Sequence, residues 1–89
     1  MSATKRWNVE ILIGETHRRT YAEAQLYDEI SNELIGHGSA AVHPDEPVVP
    51  EVGDEIAVAR ALADLGNRLL VTAAGDLEDV LGTRVQLER

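Results

Sequence analysis

Apolar and polar positions alternate one by one over residues 7–13: Trp7, Val9, Ile11 and Ile13 fall on one face, Asn8, Glu10 and Leu12 on the other. A period of two with β-branched residues predicts a strand with one buried face. Residues 14–19 are polar and open on Gly14, which predicts a loop. Alternation resumes over residues 20–27, with Ala22, Ala24 and Leu26 facing the core and Tyr21, Glu23, Gln25 and Tyr27 facing away. Residues 28–33, rich in Asp, Ser and Asn, predict a second turn. A third strand over residues 34–43 sets Leu34, Gly36, Gly38, Ala40 and Val42 on its core face. Glycine weakens a strand unless another backbone comes close to it.

After a proline-rich bend (43–50) the period changes from 2 to 3.6, and residues 52–70 read as the one long helix. Val58, Leu62, Leu65, Leu69 and Ala73 cluster on one side with Ala59 and Gly66 beside them; Arg60, Asp64, Asn67 and Arg68 lie opposite. Glycine in a helix interior costs about 1 kcal/mol relative to alanine. The expected compensation is packing of Gly66 against the third strand near Gly36 or Gly38. Gly53 or Asp54 is the expected N-cap, Gly75 the expected end, and Asp76 caps a short second helix (77–81) closed by Gly82. Residues 83–87 alternate weakly, as a tail or a short edge strand. The fold class is therefore α+β: a three-stranded antiparallel meander packed on one long C-terminal helix, with a short extra helix. Residues 7–82 form a single domain between an N-terminal tail (1–6) and a C-terminal one (83–89).

That order of elements resembles a double-stranded-RNA-binding-domain-like fold without a strong first helix. The residues resemble a family of short actinobacterial proteins, a domain of unknown function with that fold. The matching features are Val9-Glu-Ile-Leu-Ile13, Leu34-Ile-Gly-x-Gly38, His43-Pro44 and, most specifically, Val52-Gly-Asp-Glu-Ile-Ala-x-Ala-Arg-Ala-Leu-x-Asp-Leu65. The likeness runs from about Trp7 to Leu70 and implies a fold, with no activity attached.

Charge argues against the function that the fold name invites. Sixteen acidic side chains oppose eight basic ones, a net charge of −8, and between Glu23 and Asp64 the only Lys or Arg is Arg60. Such a surface repels phosphate backbones and anionic lipid. Binders of double-stranded RNA hold phosphates with Lys and Arg, whereas the helix start here carries Glu51, Asp54 and Glu55. The basic pairs are Lys5-Arg6 in the tail and Arg18-Arg19 in a loop. With no Phe, one Trp, one Met and two Tyr, burial falls to Ala, Val, Leu and Ile. The absence of cysteine removes disulfides and thiolate chemistry. No run approaches the ~20 apolar residues of a membrane span, and the expectation is a cytoplasmic protein that binds neither membrane nor double-stranded RNA.

Candidate chemistry is sparse. His37 and His43, on one face of a strand, stand roughly 20 Å apart, too far to share an ion. His17 has only Glu15 for company, and the carboxylates Asp45, Glu46, Glu51, Asp54 and Glu55 lack the order of a calcium loop. No nucleophile motif or phosphate-binding glycine loop is present. No catalytic, metal-binding or cofactor-binding residue is assigned, and an enzyme is the less favoured reading. The remaining lead is the sheet face turned away from the helix, where Leu12, Tyr21, Tyr27, Ile35 and His37 form a candidate protein interface. The expected partner is a protein or a second copy of the chain, with nucleic-acid binding as the alternative.

Overall fold

The computed structural model describes residues 2–28 and 34–82. Among the described residues, strands β1 (Asn8–Thr16), β2 (Arg19–Tyr27) and β3 (Leu34–Ala41) form an antiparallel sheet in the order β1-β2-β3, followed by one helix, α1 (Pro50–Leu81). The α+β meander on one long helix stands as expected. Most of the segment 28–33 read as a turn, and the whole tail 83–89, lie outside the described residues.

Several boundaries differ, each for a local reason. β1 runs on to Thr16 and pairs it with Arg19, so the loop shrinks to the two residues His17 and Arg18. A two-residue hairpin needs positive φ, and His17 supplies it at 52°. β3 stops at Ala41, and His43 leaves the strand. The helix starts earlier than the capping chemistry implied. Val49 is its N-cap with no side-chain bond, and Pro50 opens it; proline at that place has a pre-set φ and lacks only an N–H that would be unpaired anyway. Nor is there a short extra helix. Gly75 and Asp76 lie inside α1, which ends at Gly82 (φ 67°), whose N–H bonds the Glu78 carbonyl. A single interior glycine costs too little to stop a helix carried by its neighbours.

The core is made of small residues. Ala22, Ala24, Ala40, Ala57, Ala61, Leu26 and Leu65 are buried, with Ile11, Leu34, Val58 and Leu69 packed against them. The strand glycines do allow a backbone to approach, as expected of them. A Cβ on Gly36 would overlap the Ala61 carbonyl and the Leu65 amide, and one on Gly38 would overlap backbone atoms of Ala57 and Ala61. Gly66 plays no part in this, contrary to expectation: nothing lies within 4 Å of where its Cβ would stand. The stripe actually buried is Ala57, Ala61 and Leu65, rotated from the periodicity estimate toward Arg60 and Asp64. The glycines attract the smallest side chains of the helix, and the polar flank finds partners of its own on β3.

Candidate protein interface

β3 is an edge strand, and α1 lies along its free side. The His37 N–H donates to Asp64 Oδ2 at 2.8 Å, and Arg60 Nη1 donates to the Ser39 carbonyl at 2.8 Å. Arg68 Nε donates to the same Asp64 oxygen at 3.0 Å from the next helical turn. The His37 amide foremost, then Arg68, holds the Asp64 carboxyl below its usual pKa, against a smaller opposing effect of desolvation. Two of the backbone groups that would template pairing with another strand, the His37 N–H and the Ser39 carbonyl, are thus occupied by helix side chains.

This fixes which way the helix faces. Its Arg60/Asp64 flank overhangs the β3 edge, so its opposite flank, with Val58, Leu62 and Leu69, looks inward across β2 toward β1. The helix does not reach far enough to cover β1. Of the four residues assigned to the buried face of the first strand, Ile11 alone is half-buried; Trp7, Val9 and Ile13 are 52%, 42% and 47% exposed. On the helix Leu62 is 44% exposed, and Ala59, Gly66 and Ala73 are exposed too. Trp7, Val9 and Ile13 on β1 and Leu62 on α1 therefore border a shallow, open apolar trough beside the buried Ala24 and Leu26.

The opposite sheet face carries the residues singled out from sequence. Register places Leu12 beside Glu23 and His37, Gln25 beside Ile35, and Tyr21 and Tyr27 at the two ends of β2. Leu12, Tyr21 and His37 are exposed, Tyr27 and Ile35 half-buried. A polar ladder runs through them: the Tyr27 hydroxyl donates to Gln25 Oε1 at 2.6 Å, Gln25 Nε2 to Glu23 Oε2 at 3.4 Å, and His37 Nδ1 stands 3.9 Å from Glu23 Oε1. The apolar members are split by this ladder into Leu12 with Tyr21 at one side and Ile35 at the other. Sequence reasoning missed the larger apolar surface because it assigned that surface to the core.

Other candidate groups have structural employment. Arg18 is half-buried and its Nη2 donates to the carbonyls of His43 and Glu46, clamping the proline-rich bend against the hairpin. His43 Nδ1 accepts the Asp45 N–H at 3.3 Å. Among the described residues, no three His, Asp or Glu side chains gather closely enough to hold a metal ion, and no helix is long and apolar enough to cross a membrane.

Fold and surface together define a small α+β protein whose sheet is only partly roofed by its helix. The chain belongs to the Rv2632c-like family, whose sequence profile matches residues 5–86. It is 45% identical over 76 residues to the uncharacterized protein MT1780 of Mycobacterium tuberculosis (strain CDC 1551 / Oshkosh), an alignment that covers 85% of this chain and 80% of that one. It is 38% identical over 74 residues to the uncharacterized protein Rv2632c of M. tuberculosis (strain ATCC 25618 / H37Rv), with 83% and 78% covered. The crystal structure of Rv2632c matches with a TM-score of 0.77 at 39% identity, over 89% of this chain and 93% of that one. The relatives bring a family and a fold, and attach no activity to the trough.

Proposed function

We propose that the protein is a non-enzymatic, cytoplasmic interaction module whose apolar trough between β1 and α1 is covered by protein. One observation carries this reading. Among the described residues five of the seven buried apolar side chains are alanine, while Trp7, Val9, Ile13 and Leu62, which border the trough, are exposed. Fully burying a Val, Leu, Ile or Phe-sized side chain stabilises by about 1.5–3 kcal/mol, so these half-exposed side chains leave part of that stabilisation unused. Monomeric proteins rarely leave a contiguous apolar surface of this kind open. The outer-face set of Leu12, Tyr21, Tyr27, Ile35 and His37 is the second candidate surface, ranked lower because the polar ladder interrupts it.

Nucleic-acid binding, which the likeness to double-stranded-RNA-binding domains raises, is not proposed. Glu51 stands in the first turn of α1, and Arg18 is spent on backbone carbonyls. Non-specific binding needs several Lys or Arg free to neutralise phosphates. The expected gel shift with double-stranded RNA at low micromolar protein and ~150 mM salt is none.

The test is a photo-crosslinking residue placed at Ile13, in the trough, and separately at Leu12, its neighbour on the opposite face. Illumination in the producing cell should give protein adducts at position 13 in clear excess over position 12. Adducts chiefly at position 12 would move the interface to the outer face, and no adducts at either position would sink the reading.

A further inference from the structure

Resting on that reading, we infer that the occupant of the trough is a second copy of the chain, its α1 lying antiparallel to the first and crossing it at Gly66. The helix carries a second apolar seam that the monomer leaves exposed except at Leu69, which packs against the core. Ala59, Gly66, Ala73 and Val80 recur every seven residues, with Leu62 and Leu69 three residues after the first two. Such a 3-4 spacing is the pattern of two helices packing along their length. All four members of the sevenfold series are exposed, Val80 at 80%. Gly66, which has no neighbour inside the molecule to explain its cost, is where a second backbone would come closest.

The pattern also names the partner. In a twofold pair, residue i meets j and j meets i, so a self-complementary helix must read alike in both directions from its crossing point. Gly66 stands at the middle of the 32-residue α1. Seven residues either side of it are Ala59 and Ala73; four either side are Leu62 and Leu70; three either side are Ala63 and Leu69. The crossing thus sets Gly66 on Gly66, Ala59 on Ala73 and Leu62 on Leu70, with Leu69 against the smaller Ala63.

Charge agrees. In a chain of net charge −8, the seam from Ala59 to Ala73, about 21 Å of helix, includes no charged residue. Asp64, Arg60 and Arg68, within the same span, point to the β3 edge. Like charges meet only where the seam ends, Glu55 of one copy near Asp76 of the other, so association tightens as salt rises.

The chain has no cysteine, so an introduced one reports unambiguously. Gly66→Cys places both thiols on the twofold axis, within the ~4.4–6.8 Å Cα separation that a disulfide spans. At an effective concentration of order mM rather than the µM of free chains, it should crosslink ~1,000-fold faster under mild oxidation than Val71→Cys, which is exposed on the other flank. Ala59→Cys mixed with Ala73→Cys should give the mixed disulfide ahead of either homodisulfide, which a parallel pair would reverse. Sedimentation of the parent at twice its 9.7 kDa chain mass, with these crosslinks, is the expected result. A parent dimer in which positions 66 and 71 crosslink equally would overturn the Gly66 crossing and leave the interaction module standing. A parent that stays monomeric at high concentration and high salt would overturn the second copy altogether, leaving the photo-adducts at Ile13 to a different protein.

Discussion

At the scale of single residues, Gly36 and Gly38 set the distance between β3 and α1, because any Cβ there would overlap helix backbone. Gly38→Ala should therefore destabilise by about 1–3 kcal/mol, read from denaturant unfolding. Gly75, inside the helix with nothing within 4 Å of its missing Cβ, should respond oppositely, with Gly75→Ala gaining up to about 1 kcal/mol. The closeness at Gly36 and Gly38 was legible in the sequence, since glycine on the core face of a strand sacrifices packing unless a second backbone fills the space. The assignment of Gly66 to the same contact was not, because periodicity gives the angle of an apolar stripe and cannot say how much of its width is buried. Asp64 adds a pH dependence with a definite sign. Its carboxyl is held below the ordinary value by the His37 amide and by Arg68. Folding is thus favoured by the ionised form, a contribution present above an unfolded Asp pKa of about 3.9 and lost as pH falls through the lower folded value. Asp64→Asn keeps an acceptor for the amide, and should flatten stability against pH below about 4 relative to the parent.

At the scale of elements, the edge of β3 is the exposed weakness, and α1 covers it with side chains rather than with another strand. Val42 N–H bonds the Arg18 carbonyl on the hairpin that leads into β2, and by the alternation of an antiparallel ladder the even-numbered residues of β3 face β2 while His37 and Ser39 face out. Replacing both Arg60 and Asp64 by alanine should speed hydrogen exchange at the His37 amide and leave Gly36 slow. Equal exchange in parent and variant would show that the side-chain bonds do not protect the edge. Strand types and the long helix were readable from their periods because alternation over seven residues and a 3.6 repeat after Pro50 admit little else. The helix ends were less so. Asp54 and Gly75 carry ordinary boundary chemistry, yet Pro50 could start the helix earlier, and Gly75 lies between turns stable enough to continue through it.

At the scale of the whole molecule, α1 outruns its sheet. A 32-residue helix is about 48 Å long against about 30 Å for a nine-residue strand, and the molecule extends 53 Å along its longest axis. The sequence distributed apolar residues as though both faces of the trough were core, and the monomer satisfies only half of that pattern. This is why Trp7, Val9 and Ile13 were assigned correctly to a face and wrongly to burial. If a second copy completes the pattern, unfolding and dissociation are one event, and stability depends on protomer concentration. The melting temperature should then rise by roughly 3–6 °C for each tenfold increase in protein. A concentration-independent melt would mean that the half-roofed monomer is stable alone.

The contact between α1 and β3 has one further consequence, for how the chain tolerates change. Most protein cores drift by exchanging one large side chain for another of similar volume, losing a methylene here and gaining one there. Where Gly36 and Gly38 meet the backbone of Ala57, Ala61 and Leu65, the strand has no side chain left to shorten. Substitution at the two glycines adds volume against backbone, which cannot turn aside as a side chain would. Random mutation of the two glycines is therefore one-directional, and saturation mutagenesis should find Gly36 and Gly38 closed to all other residues while Leu65, whose side chain extends beyond the contact, accepts unbranched methionine.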